Sequence, residues 1–133
     1  MKVSIQWKKI KLSEEDKIEN FYDFYLFYRG NAIIYIGKSY KQNVLKEIKS
    51  KKYVADISWI GIGFYIGFLN KDKSDSFRRS ASLITDIESL LINKHQPTEN
   101  TQCKSNYTGR PDLKIYNSGC KLLKKCITDK SII

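Results

Sequence analysis

Tyr35-Ile36-Gly37-Lys38 is the stretch on which the reading of this chain turns. It completes a run, Ile33 to Ile36, that follows the turn signal Gly30-Asn31. Ahead of the turn stands Phe24-Tyr25-Leu26-Phe27-Tyr28-Arg29, an aromatic run suited to a strand. Two such runs around a Gly-Asn pair predict a β-hairpin. Tyr25 on the first strand and Tyr35 on the second stand ten residues apart. Alternation along the first strand puts Tyr25 and Phe27 on one face, Phe24 and Tyr28 on the other.

Working outward, Lys41 to Lys52 reads as a helix with Val44, Leu45 and Ile48 on one side and lysines around the rest. Ile57 to Leu69 reads as a third, longer strand. Asn70 to Ser76 is a polar turn, and Ser76 is placed to cap the next helix. Leu83, Ile84, Ile87, Leu90 and Leu91 follow the helical period, and Pro97 ends that helix just past Asn93. Toward the N-terminus, Ser13 and the acids Glu14, Glu15 and Asp16 mark the start of a short helix ending near Phe21. Beyond Pro97 the chain is irregular as far as Leu113 to Tyr116, a candidate edge strand. Leu122, Leu123, Cys126 and Ile127 then suggest a last amphipathic helix. The expected fold is α/β: a small mixed three-stranded sheet flanked by helices, in the order β-β-α-β-α, with a C-terminal extension. One domain spans 1–133, with its core at about 22–100, an N-terminal helix within 1–20 and a basic tail over 101–133.

Twenty-four Lys and Arg face 14 Asp and Glu, a formal charge of +10. Such an excess favours a polyanionic partner, because neutralising phosphates releases condensed counterions. No apolar run is long enough for a membrane span, and the three lysines of Met1 to Ile10 interrupt any signal-peptide core. The three cysteines, Cys103, Cys120 and Cys126, have no CxxC spacing and no paired histidines. They read as free thiols of a cytoplasmic protein rather than as a zinc site.

Taken together, these residues resemble the GIY-YIG endonuclease family. The second signature element is intact as Tyr35-Ile36-Gly37, and the first keeps only its tyrosine, in Asp23-Phe24-Tyr25. Glu88, with Pro97 nine residues on and Asn100 twelve on, matches the family's later arrangement. Tyr107-Thr108-Gly109-Arg110 and Asn117-Ser118-Gly119 look like a tail found in some bacterial members. The likeness runs over about residues 22–119. It departs from the family on the first helix, where Glu47 stands in the place of an arginine and Lys51 in that of a histidine. Lys46 is the adjacent cation, a point charge rather than a fork.

The resemblance implies a metal-dependent DNA endonuclease that leaves a 5′-phosphate and a 3′-hydroxyl. Tyr25 would activate the attacking water, which requires its phenol to fall from a pKa of about 10. Tyr35 would orient the water or the phosphate. Glu88, at the edge of its helix's apolar stripe, would hold one Mg²⁺ or Mn²⁺ ion. Asn100 would position water or phosphate, and Lys46 would supply the cation in the arginine's absence. Gly37, Lys38, Arg78 and Arg79 are the candidate substrate contacts, Gly37 because a side chain there would intrude. The expected partner is DNA, or a structured nucleic acid; two-strand cutting with one active site would need a homodimer or two successive visits, and sequence choice a targeting partner. The competing reading, motivated by Glu47, is an inactive nucleic-acid-binding module on the same fold.

Overall fold

The computed structural model describes residues 1–11, 22–48, 62–70, 80–100 and 106–129. Six strands form one mixed sheet: β1 (Lys2–Ile10), β2 (Phe24–Arg29), β3 (Ala32–Lys38), β4 (Gly63–Asn70), β5 (Lys114–Ser118) and β6 (Cys126–Thr128), in the spatial order β3-β2-β4-β1-β5-β6. A helical turn, α1 (residues 44–48), and a long helix, α2 (Ala81–His95), pack on it. The α/β class is as expected, but the sheet has six strands where three were expected. Neighbouring strands are antiparallel except for β1 and β5.

β3, β2 and β4 are the three expected strands, adjacent and in place. The extra half begins with β1. Val3, Ile5 and Trp7 are buried, alternating with Ser4, Gln6 and Lys8. This is the period-2 pattern of a half-buried strand. The three lysines that argue against a signal peptide do not interrupt it, because Lys2 and Lys8 fall on the polar face. Lys9 faces the other way and lays its ammonium 5.6 Å from the centroid of the Tyr28 ring.

β5 is an inner strand, not an edge. The expected terminal helix is absent: residues 121–125 turn, and β6 pairs Ile127 with Ile115. The spacing of Leu122, Leu123, Cys126 and Ile127 fits a helix over one turn only, and pairing with β5 overrides it. Ser13 to Phe21, residues 57–61, Ser76, Arg78, Arg79, the lysines of 49–52 and Cys103 lie outside the described residues. α2 is capped by Ser80, whose hydroxyl accepts from the Leu83 amide at 3.2 Å. It runs past Asn93 to His95, with Gln96 in the left-handed conformation just before Pro97. Among the described residues no helix is long and apolar enough to cross a membrane.

The sheet buries both faces. Under α2, Leu83, Ile84, Ile87, Leu90 and Leu91 meet Val3, Ile5, Trp7, Phe24, Leu26 and Leu69. Under α1, Val44, Leu45 and Ile48 meet Tyr25, Phe27, Ile34, Phe64 and Ile66. The expected division of Tyr25 and Phe27 from Phe24 is therefore met. Buried polar atoms on the α2 side are paired: Trp7 Nε1 donates to Asn117 Oδ1 at 3.0 Å, and Asn117 Nδ2 to the Lys124 carbonyl at 2.9 Å.

His95 is not the charged surface imidazole that its place at a helix end suggests. It is half-buried, with Nδ1 3.0 Å from the Leu91 carbonyl and Nε2 3.0 Å from the Lys124 amide. An amide can only donate, so Nε2 accepts and the ring is neutral, with its proton on Nδ1. Burial holds the imidazole below its ordinary pKa, and nearby Lys124 adds to this against the opposing Leu91 bond. The unfolded chain thus takes up the proton first, so stability is full above the unfolded pKa of about 6.5 and falls with pH below it. Thermal melting should show Tm declining from about pH 6.5 downward, and His95→Gln should flatten that part of the curve. His95 is the chain's single histidine. An unchanged slope in the variant would refute this assignment.

Candidate active site

The β2–β3 register sets Tyr25 opposite Gly37 and Phe27 opposite Tyr35. The ladder then slips, leaving Ile34 as an extra residue, so that Ile34 and Tyr35 share the α1 face although they are consecutive. This bulge swings Tyr35 beside Tyr25. Their rings stack with centroids 6.0 Å apart and planes 23° apart. Phe27 packs against both, at 5.6 and 5.7 Å. The two hydroxyls are hydrogen-bonded to each other. Gly37 has a concrete purpose: a Cβ there would land on the Tyr25 ring. The glycine makes room for a tyrosine, whereas the sequence suggested room for a phosphate or backbone.

Helix geometry brings two acids to this pair. Asn43 caps α1, its Oδ1 accepting from the amides of Leu45 at 3.0 Å and Lys46 at 3.3 Å. The cap fixes the rotation of α1 so that Leu45 and Ile48 are buried, Lys46 is exposed and Glu47 is half-buried. On α2, Glu88 is half-buried between the buried Ile87 and Leu90. Glu47 and Glu88 both act on the Tyr25 phenol through their charge.

Tyr25 is 1% exposed. Burial pushes its phenol far above the ordinary value, and Tyr35, Glu47 and Glu88 push it further. A general base needs the opposite shift, so with these neighbours alone Tyr25 is a neutral phenol that donates hydrogen bonds. The sequence could not show this, because the shift comes from burial and from Glu47, both set by tertiary packing.

A cavity of about 210 Å³ is lined by Glu47 together with Lys38, Tyr40, Gln42, Ile84 and Thr85 among others. Lys38 spans it, its ammonium donating to Thr85 Oγ1 at 2.9 Å. Thr85 sits one turn before Glu88 on the same side of α2. Thr85, Tyr40 and Gln42 were not among the expected site residues. The helical spacing of Thr85 to Glu88 was the one available signal for any of them.

Asn100 has another occupation. Its Oδ1 accepts from the Ile36 amide at 2.9 Å and its Nδ2 donates to the Ile36 carbonyl at 3.0 Å. The Glu99 amide adds a bond to the Ile34 carbonyl at 2.9 Å. The buried Asn100 thus stands in for a neighbouring strand along the outer edge of β3 and steadies the residue next to Tyr35. Arg110 from the later tail is tied to α2, pairing with Asp86 and donating to Ser82 Oγ at 3.2 Å. Lys46 is on the solvent side of α1 rather than among these residues.

A divalent cation suits the donor set, since Glu47, Glu88 and the phenol oxygens are all hard ligands. Among the described residues no group of three or more His, Cys, Asp and Glu side chains assembles. One or two carboxylates with water in the remaining positions is the usual manner of Mg²⁺.

Gly37→Ala should lower stability by about 1–3 kcal/mol, since the added methyl must displace a fully packed ring. Urea unfolding measures this. Lys38→Ala, on an exposed side chain of the same strand, should shift it by less than about 0.5 kcal/mol. Equal effects would mean that Tyr25 does not lie over Gly37. Comparison of the chain with protein-family models, with curated proteins and with solved structures returns no match.

Proposed function

We propose that this chain is a metal-dependent endonuclease that hydrolyses phosphodiester bonds in DNA. The observation that supports it is that Tyr35 stacks on Tyr25 and the charge of Glu88 acts on the Tyr25 phenol, although the three come from β2, β3 and α2. Glu88, with Glu47 acting on the same phenol, would hold a single Mg²⁺ or Mn²⁺. When bound, such an ion offsets the negative charge that builds on the phosphate and on the departing 3′-oxygen. Lys38 reaches the phosphate from the cavity rim by exchanging Thr85 for a phosphate oxygen. Tyr35 is the more exposed phenol, and it orients the attacking water. Tyr25 takes part through its hydrogen bond to Tyr35, giving tyrosine-assisted attack. A bond forms from water oxygen to phosphorus, the bond to the 3′-oxygen breaks, and the products are a 5′-phosphate and a 3′-hydroxyl. Asn100 acts as a positioning residue through Ile36.

One observation favours the second reading, a nucleic-acid-binding module without catalysis. Glu47 occupies the place of the family's arginine, and its charge raises the Tyr25 phenol where a guanidinium would lower it. Supercoiled plasmid incubated with Mg²⁺ or Mn²⁺ separates the two readings. Glu88→Ala should cut at least about a hundredfold more slowly, the equivalent of losing several kcal/mol of ionic stabilisation. Cutting undiminished in Glu88→Ala would sink the site assignment. Absence of cutting with either ion, alongside salt-sensitive DNA binding, would establish the binding module.

A further inference from the structure

α1 covers the β3-β2 end of its side of the sheet, and the other end carries a different set of side chains. Alternation places Lys2, Ser4, Gln6 and Lys8 of β1 on this side, opposite the buried Val3, Ile5 and Trp7. The register sets them in rungs with their neighbours. Lys2 stands beside Lys114, which pairs with Thr128. Ser4 lies between Asn70 and Tyr116, which pairs with Cys126. Gln6 lies between Phe68 and Ser118, and Lys8 pairs with Ile66. None of these residues is acidic, and the nearby Asp112 carboxylate is 3.5 Å from the terminal amine. Tyr116 is 36% exposed, one of the few large apolar side chains left in solvent.

Above the Gln6 rung is a cavity of about 510 Å³, larger than that at Lys38 and Thr85, lined by Gln6, Lys8, Tyr22, Phe68 and Ser118 among others. Tyr22 and Phe68 give it half-buried aromatic walls, while Gln6, Lys8 and Ser118 are exposed. The Gln6 amide offers both a donor and an acceptor, which matches the edge of a nucleobase.

We propose that this face binds a single-stranded stretch of nucleic acid, with an unpaired base in the Gln6–Phe68 cavity and a second base stacked on Tyr116. Rungs on one face are about 6.7 Å apart, so the row from Lys114 to Lys8 covers about 20 Å. That length accommodates a few nucleotides of an extended single strand. Lysines at both ends with aromatics between them form the combination that holds single strands: charge for the backbone and rings for the bases. Double-stranded DNA offers a flat protein face no unpaired base to stack, so the occupant is a single strand. The proposal does not depend on cutting at the tyrosine pair.

Fluorescence anisotropy of labelled oligothymidine and of a duplex of equal length, with EDTA present, tests it. The wild-type chain should bind the single strand more tightly. Lys8→Glu with Lys114→Glu should weaken single-strand binding at least about tenfold and reduce the salt slope by about 0.7 per lysine. Tyr116→Ala should weaken it about fivefold or more, and Tyr116→Phe should restore it, since the ring does the stacking. Cys126 has an exposed thiol beside Tyr116. Its alkylation, followed by peptide mass, should slow when oligothymidine is added. Equal affinity for duplex and single strand together with an inert Tyr116→Ala would reduce the face to a general positive surface and overturn the proposal. Unchanged binding in all the variants would overturn it as well. Either failure leaves plasmid cutting by the Glu88 site untouched.

Discussion

β1 joins two structures that would otherwise have no reason to meet. Its backbone is paired along both edges, antiparallel from Ser4 to Ile10 with β4 and parallel from Lys2 to Gln6 with β5. Val3, Ile5 and Trp7 meanwhile form the floor on which α2 lies. Without β1, β4 would become an exposed edge, and β5 and β6 would be an isolated two-stranded ribbon of the kind that is marginal in water. The amino terminus is fastened as well, its ammonium donating to the Asp112 carbonyl at 2.9 Å. These contacts link residues more than a hundred positions apart. Closing so long a loop is costly before any contact repays it, which favours a fold assembled outward from the β2–β3 hairpin.

That hairpin is also the part most legible in the sequence. Gly30-Asn31 between two aromatic and β-branched runs specifies it locally, and the 3.6-residue spacing of Leu83 to Leu91 specifies α2 equally locally. β1 was legible in principle, since Val3, Ile5 and Trp7 alternate with polar residues. Its lysines drew attention to charge instead of to alternation. β5 and β6 were harder. Five- and three-residue strands carry little periodicity, and Ile127 is a strand residue only because Ile115 is there to meet it. Leu122 and Leu123 fit either outcome, and their own spacing does not decide between the two.

At the candidate site, the side chains were readable and their environment was not. Tyr25, Tyr35 and Glu88 follow from motif order, and the structure draws them together. The bulge at Ile34 that moves Tyr35 next to Tyr25 leaves no signature in Ile33-Ile34-Tyr35. The ring that explains Gly37 lies on the other strand. Asn100 was identifiable as important, but its two bonds to Ile36 belong to edge protection, a need that arises only once β3 is known to be the outermost strand.

The sign of the charge at this site runs against that of the whole chain. The chain carries +10, yet among the described residues the charged side chains acting on the Tyr25 phenol are Glu47 and Glu88. A phosphodiester drawn in by distant lysines would meet two carboxylates at the tyrosines, and like charges at short range in a part-buried cleft outweigh screened charges farther off. Among the described residues Lys38, on an exposed rim, offsets only part of this. On the proposed function, the arrangement therefore favours a small divalent cation first and an anionic substrate second. An arginine in place of Glu47 would have let the phosphate come first. On that proposal the residue at position 47 sets the order in which the site is filled, while Val44, Leu45 and Ile48 keep the packing that holds it.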